Sequence, residues 1–150
     1  WSSDVCSSDL SMDQWPGYEF ERRRVLKHFY EHKIKNPVVL TGDIHTNWAN
    51  ELIADFDQLD SQSTGVEFVG TSITSQGPNE KITETALRNN PHLKFSNGTQ
   101  RGYTALEVTP AQCHARIRTV SRVTDPQATI STLAAFMVEH GKAGARQDTG

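Results

Sequence analysis

An α/β fold is what this 150-residue chain predicts, and three observations carry the prediction. A helical run gives way abruptly to a short, wholly apolar one. Further strand candidates follow, with one more helix among them. The last third then alternates apolar and charged residues in two adjacent runs, the pattern of a sheet with one wet face.

The elements follow in chain order. Residues 18–33, YEFERRRVLKHFYEHK, place Tyr18, Arg22, Val25, Leu26 and Phe29 on one helical face. Pro37 ends that helix, and Val38, Val39 and Leu40 form the continuous run expected of a strand buried on both faces. ELIADF (51–56) and GVEFVG (65–70) are further strands, separated by the polar loop DQLDSQST. Pro78 and Asn79 introduce a weaker helix over 80–90, which Asn90-Pro91 breaks. RGYTALEV and QCHARIRTV flank the turn TPAQ and predict an antiparallel hairpin, Ala115 and Ile117 alternating with Arg116 and Arg118. TLAAFMVEHG (132–141) fits strand or helix by periodicity alone, and the neighbouring hairpin favours strand. GKAGARQDTG (141–150) is expected to be a disordered tail.

Residues 1–10, WSSDVCSSDL, fit no periodic pattern. The codon string TGG AGT TCA GAC GTG TGC TCT TCC GAT CT encodes them and resembles the end of a sequencing-library adapter. The segment is therefore expected to be a translated artefact and is set aside from fold reasoning. Without Asp4 and Asp9 the formal charge of −3 becomes −1, from 15 basic and 16 acidic residues. That balance gives no electrostatic case for nucleic acid as a stable partner, nor for an anionic membrane. Cys113 is left alone, so no internal disulfide framework is expected. No apolar run approaches the roughly 20 residues of a transmembrane segment.

The strongest candidate site is Thr41-Gly42-Asp43-Ile44-His45, where the apolar run 38–40 ends. Ligands of open α/β sheets gather at the carboxyl ends of strands. Gly42 is expected to let the backbone turn closely. In an extended segment Asp43 and His45 leave the same side, within reach of one metal ion, and a carboxylate with an imidazole suits zinc, iron or manganese. The spacing equally admits a turn capped by Asp43 with His45 as an ordinary polar residue.

Five stretches decide between these readings by resemblance. PVVLTGDIHTNWA (37–49) resembles the last metal motif of the PhoD-type alkaline phosphatases, within the calcineurin-like metallophosphoesterase superfamily. DQWPGYEFERRRVL, GVEFVGTSITSQG, NPHLKF and RGYTALEVTP occur in the order of that family's C-terminal part, so residues 11–140 are expected to belong to such a domain. The superfamily's usual Gly-His-x-His motif has Asp43 in place of its first histidine here, with His45 matching the second. That agrees with the PhoD branch.

The resemblance implies a metallophosphoesterase-type β-sandwich flanked by helices and truncated at its N-terminus. It implies Asp43 and His45 as metal ligands, and Fe3+ and Ca2+ as cofactors, with other divalent metals open. The implied activity is phosphomonoester hydrolysis, with diesters as a further substrate class, by a metal-activated hydroxide, and small phosphate esters are the implied partners. An extracytoplasmic location, periplasmic, secreted or at the cell surface, also follows. The family's other ligands precede this stretch, so the chain alone is expected to be inactive. Oligomeric state is left open. The competing reading is a noncatalytic β-rich binding module with TGDIH as a plain turn.

Three more residues are substrate-binding candidates. Trp48 could wall the pocket or simply pack, His92 lies in a matched stretch and could line the pocket or sit at the surface, and Arg101 could pair with a carboxylate or phosphate or hold a strand edge. Arg22, Arg23, Arg24 and Lys27 are read as a solvated helix face, and His28 and His32 as surface.

Overall fold

The structure, a computed structural model, describes residues 15–149. The decapeptide expected to be adapter lies outside the described residues. A 3-10 turn, Trp15–Tyr18, leads into α1, Glu19–Glu31. The helix stops well before Pro37, in a Schellman arrangement. Lys33 takes φ 49°, its N–H donates to Tyr30 O at 3.2 Å, and Ile34 N–H donates to Phe29 O at 3.0 Å. Of the expected apolar face only Leu26 is buried, while Tyr18 and Val25 are 55% and 36% exposed. α1 rests on the strand Ser63–Val69. Its arginines are not simply solvated. Arg23 joins Glu19 at 2.6 Å and Asp57 at 2.9 Å, and the Arg22 guanidinium lies 5.1 Å from the centre of the Phe56 ring. Both tie α1 to the turn after the next strands.

The first sheet contains β1 (Val38–Thr41), β2 (Asn47–Ile53), β3 (Ser63–Val69) and β4 (Leu93–Asn97), in the spatial order β1-β3-β2-β4. β1 and β3 run parallel; the other pairs are antiparallel. Two departures from expectation stand out. β1 is not buried on both faces: it stands at the sheet edge with β3 as its one strand neighbour among the described residues, and Leu40 is 58% exposed. β2 starts at Asn47, directly behind the candidate motif, and stops short of Phe56. β4 is not among the strands expected from sequence, because Leu93 and Phe95 are too short an alternation to signal one.

Between β3 and β4 lies α2, Glu80–Asn89, packed on β4. Asn79 caps it as expected, its Oδ1 accepting from Lys81 N–H at 2.9 Å. Asn90 closes it by donating from Nδ2 to Ala86 O at 2.8 Å.

The second sheet is antiparallel throughout, β5 (Gly102–Val108), β6 (Gln112–Val120), β7 (Ile130–Glu139) and β8 (Arg146–Asp148) in chain order. The β5–β6 hairpin and the strand reading of 132–139 hold. The tail is a correction. Residues 146–148 pair with β7, and Asn36 fastens the approach by donating to Glu139 O and accepting from Gly141 N–H at 2.6 Å. Three residues are too few to show a period.

The two sheets face each other across one core. Ala49, Val66 and Phe68 meet Ala115, Ile117, Phe136 and Val138, with Cys113 and Ala134 at the margin. Phe136 is the centre, with its ring 6.0 Å from Phe68 and 5.8 Å from Phe95. The expected sandwich flanked by helices is therefore present.

Candidate functional site

β1 delivers its carboxyl end into a tight turn. Ile44 N–H donates to Gly42 O at 3.0 Å across Asp43, whose φ is 73°, so Asp43 sits at the apex of a γ-turn of the rare positive-φ kind. His45, two residues on, is also left-handed at φ 55°. This conformation costs a non-glycine residue on the order of 1–3 kcal/mol and persists only where surrounding contacts impose it. The bend was expected at Gly42 in an otherwise extended segment. Instead the positive φ values fall on Asp43 and His45, residue types that tolerate them better than most.

The surrounding contacts are specific. His45 Nδ1 lies 2.9 Å from Gln76 O. A carbonyl can only accept, so Nδ1 carries the proton and Nε2 keeps the lone pair of the neutral ring. The backbone carbonyl of His45 accepts from Arg101 Nη1 at 2.8 Å. The same guanidinium donates to Ser72 Oγ at 3.1 Å, to Ser75 O at 3.0 Å and to Gly98 O. Arg101 is 6% exposed, and among the described residues no carboxylate pairs with it. Burial lowers its pKa, yet a guanidinium stays charged. Gly77 completes the packing: a Cβ there would stand 2.5 Å from His45 O and 2.8 Å from Arg101 Nη2.

Beneath the turn, the buried Glu67 carboxylate on β3 accepts from Thr41 Oγ1 and from Asn50 Nδ2, each at 2.9 Å. It links the last residue of β1 to β2. Asp43 itself is exposed and His45 partly so.

The structure brings Asp43, His45 and Arg101 together. Trp48 follows within β2, opposite Ser96 on the face away from the core, with its Nε1 buried and unpartnered. His92 does not join the group. It lies at the opposite end of β4 from Asn97, is 2% exposed, and packs edge-on against Phe56 at 5.1 Å. Burial, with Lys94 and Arg22 nearby, lowers its pKa from 6.5 to about 4. Gln76, Gly77 and Glu67 carry no separate signal in sequence, because a main-chain carbonyl has no side-chain signature and a buried carboxylate on a strand is invisible to period.

The donor set fits part of a metal site. Asp43 offers a carboxylate and His45 an Nε2 lone pair with its ring fixed from behind, the usual support of a ligating imidazole. Among the described residues no group of three or more His, Cys, Asp or Glu converges, so further donors would come from elsewhere.

This sandwich, with an acid and an imidazole presented from one strand end, falls within a defined class: the chain belongs to the PhoD-like phosphatase family, whose pattern matches residues 3–117. It is 42% identical over 151 residues to alkaline phosphatase D of Bacillus subtilis (strain 168), an alignment covering 98% of this chain and 26% of that protein. The solved structure of PhoD matches with a TM-score of 0.83 at 43% identity, over 93% of this chain and 27% of that one. The chain thus spans about a quarter of the length of these relatives.

Proposed function

We propose that this chain contributes the Asp43–His45 half of a metal centre to an alkaline phosphatase that hydrolyses small phosphate esters. The single observation that carries the reading is the fixed imidazole of His45. Its Nδ1 proton is committed to Gln76 O, so its remaining nitrogen is presented as a ligand at the end of β1. The left-handed backbone at Asp43 and His45 and the PhoD-like family support it. A carboxylate beside an imidazole suits a pairing of Fe3+ and Ca2+, with other divalent ions as alternatives. The chemistry supplied by cations held there is Lewis-acid stabilisation of phosphate oxygens and activation of water for in-line attack.

Asp43 adds negative charge that binds cations. His45 holds its proton away from the ligand side, and Arg101 keeps the turn from relaxing. Diester hydrolysis and action outside the cytoplasm belong to the same proposal. The test is hydrolysis of p-nitrophenyl phosphate and its bis ester by the complete protein at alkaline pH, with and without a chelator. Turnover abolished by chelation and restored by metal is the expected result. Turnover indifferent to chelation sinks the metal reading, and no turnover at all sinks the enzyme reading. Residues 11–150 expressed alone are expected to turn over little or no substrate.

A further inference from the structure

We infer that Arg101 is a positioning residue for the His45 ligand and does not bind substrate phosphate. The inference rests on the metal reading of His45 above. Arg101 was a candidate phosphate binder by sequence, and its surroundings point elsewhere. The side chain is 94% removed from solvent, and its guanidinium donates to four acceptors: the carbonyls of His45, Ser75 and Gly98 and the Ser72 hydroxyl. Those acceptors come from three separate segments, the turn after β1, the loop after β3 and the turn after β4. One planar cation therefore clamps three loops.

The clamp acts on His45 from two directions. It holds the residue's carbonyl directly, which fixes a left-handed backbone that would otherwise relax. It also holds Ser75 O, and the adjacent Gln76 carbonyl is the group that takes the His45 Nδ1 proton. Losing Arg101 would free both constraints together. Lysine cannot replace it, because a single ammonium on a flexible stem lacks the planar fork that reaches these acceptors. The absence of room for a Cβ at Gly77, between His45 O and Arg101 Nη2, shows how closely the two segments are pressed.

The test compares Arg101→Lys, Gly77→Ala and His45→Ala in the complete protein. Its readouts are Mn2+ affinity by chelator competition, the kcat and KM for p-nitrophenyl phosphate, and the 15N shifts of the His45 ring. Losing partners that orient a ligand typically costs about 10- to 100-fold in metal affinity or activity. Arg101→Lys is expected to weaken Mn2+ by that factor, to lower kcat with KM little changed, and to abolish the fixed Nδ1–H signal. Gly77→Ala, which keeps the cation but crowds Arg101 Nη2 and the carbonyls of His45 and Gly98, should shift affinity in the same direction, and it decides the matter if Arg101→Lys does not fold. If neither folds, the 15N spectrum of the unaltered protein decides: an Nδ1–H tautomer supports the clamp, and an Nε2–H tautomer overturns it. A folded Arg101→Lys with raised KM, unchanged Mn2+ affinity and an intact Nδ1–H signal overturns the positioning role. If His45→Ala also binds Mn2+ normally, the metal reading itself has failed; if only His45→Ala loses it, the failure is confined to Arg101.

Discussion

The two sheets of this molecule are built on different terms. The second sheet, β5 to β8, is a run of neighbours in sequence, each strand paired with the next, with apolar side chains alternating toward the core. The first orders its strands β1-β3-β2-β4 and includes a parallel pair. Its interior carries Glu67, Asn47 and Asn50 as well as Val66 and Phe68. One sheet is a support assembled from local contacts. The other also joins strands that are not consecutive, β1 with β3 and β2 with β4, and where β1 ends it holds two left-handed residues in place. Substitutions at the shared core and at the strained turn should therefore differ in sign as well as size.

The largest expected effect is at the shared core. Phe136→Ala removes a ring that touches Phe68 and Phe95 and is 1% exposed. It should destabilise by about 3–5 kcal/mol, measured by urea denaturation. A loss under about 1 kcal/mol would mean that the sheets are not held together there.

Second is a pH effect at the end of the first sheet remote from the motif. His92, neutral in the fold with its pKa lowered to about 4, regains an ordinary value near 6.5 when unfolded. The unfolded chain then binds the extra proton, so stability is full above about pH 6.5 and is lost as pH falls toward 4, by on the order of 3 kcal/mol. His92→Gln should flatten that decline between pH 7 and 4.5. An unchanged slope would show that the decline arises at other groups.

The smallest effect has the opposite sign. Asp43→Gly relieves a positive φ and should raise stability by about 1 kcal/mol while removing the carboxylate. A destabilised glycine variant would mean that the turn is favoured locally and stores no strain.

The same contrast explains what could be read from sequence. The β5–β6 hairpin and β7 were legible because pairing between neighbours leaves a period of two in the chain. α2 was legible because Asn79 and Asn90 mark its ends. β4 and β8 were not, since each is short, and β4 also pairs with a strand remote in sequence. At the site, Asp43 and His45 were legible by type and spacing and by their match to a family motif. Their backbone geometry was not, because it is imposed by Arg101 and Gln76, more than 30 residues away. Arg101 was legible as a candidate, but its three carbonyl acceptors were not, since main-chain carbonyls leave no mark in a sequence. His92 could be a pocket or a surface residue by sequence and is buried away from the motif, because a sequence cannot show which end of a strand lies at a site.

The central claim is that Asp43 and His45 together hold metal. The most direct measurement is the metal content of the purified complete protein, by mass spectrometry, in the unaltered form and in Asp43→Asn and His45→Ala, alongside p-nitrophenyl phosphate turnover. Bound metal and turnover falling together in both variants, turnover by more than about 100-fold, is the predicted result. Metal content and turnover that both survive the two substitutions would contradict it.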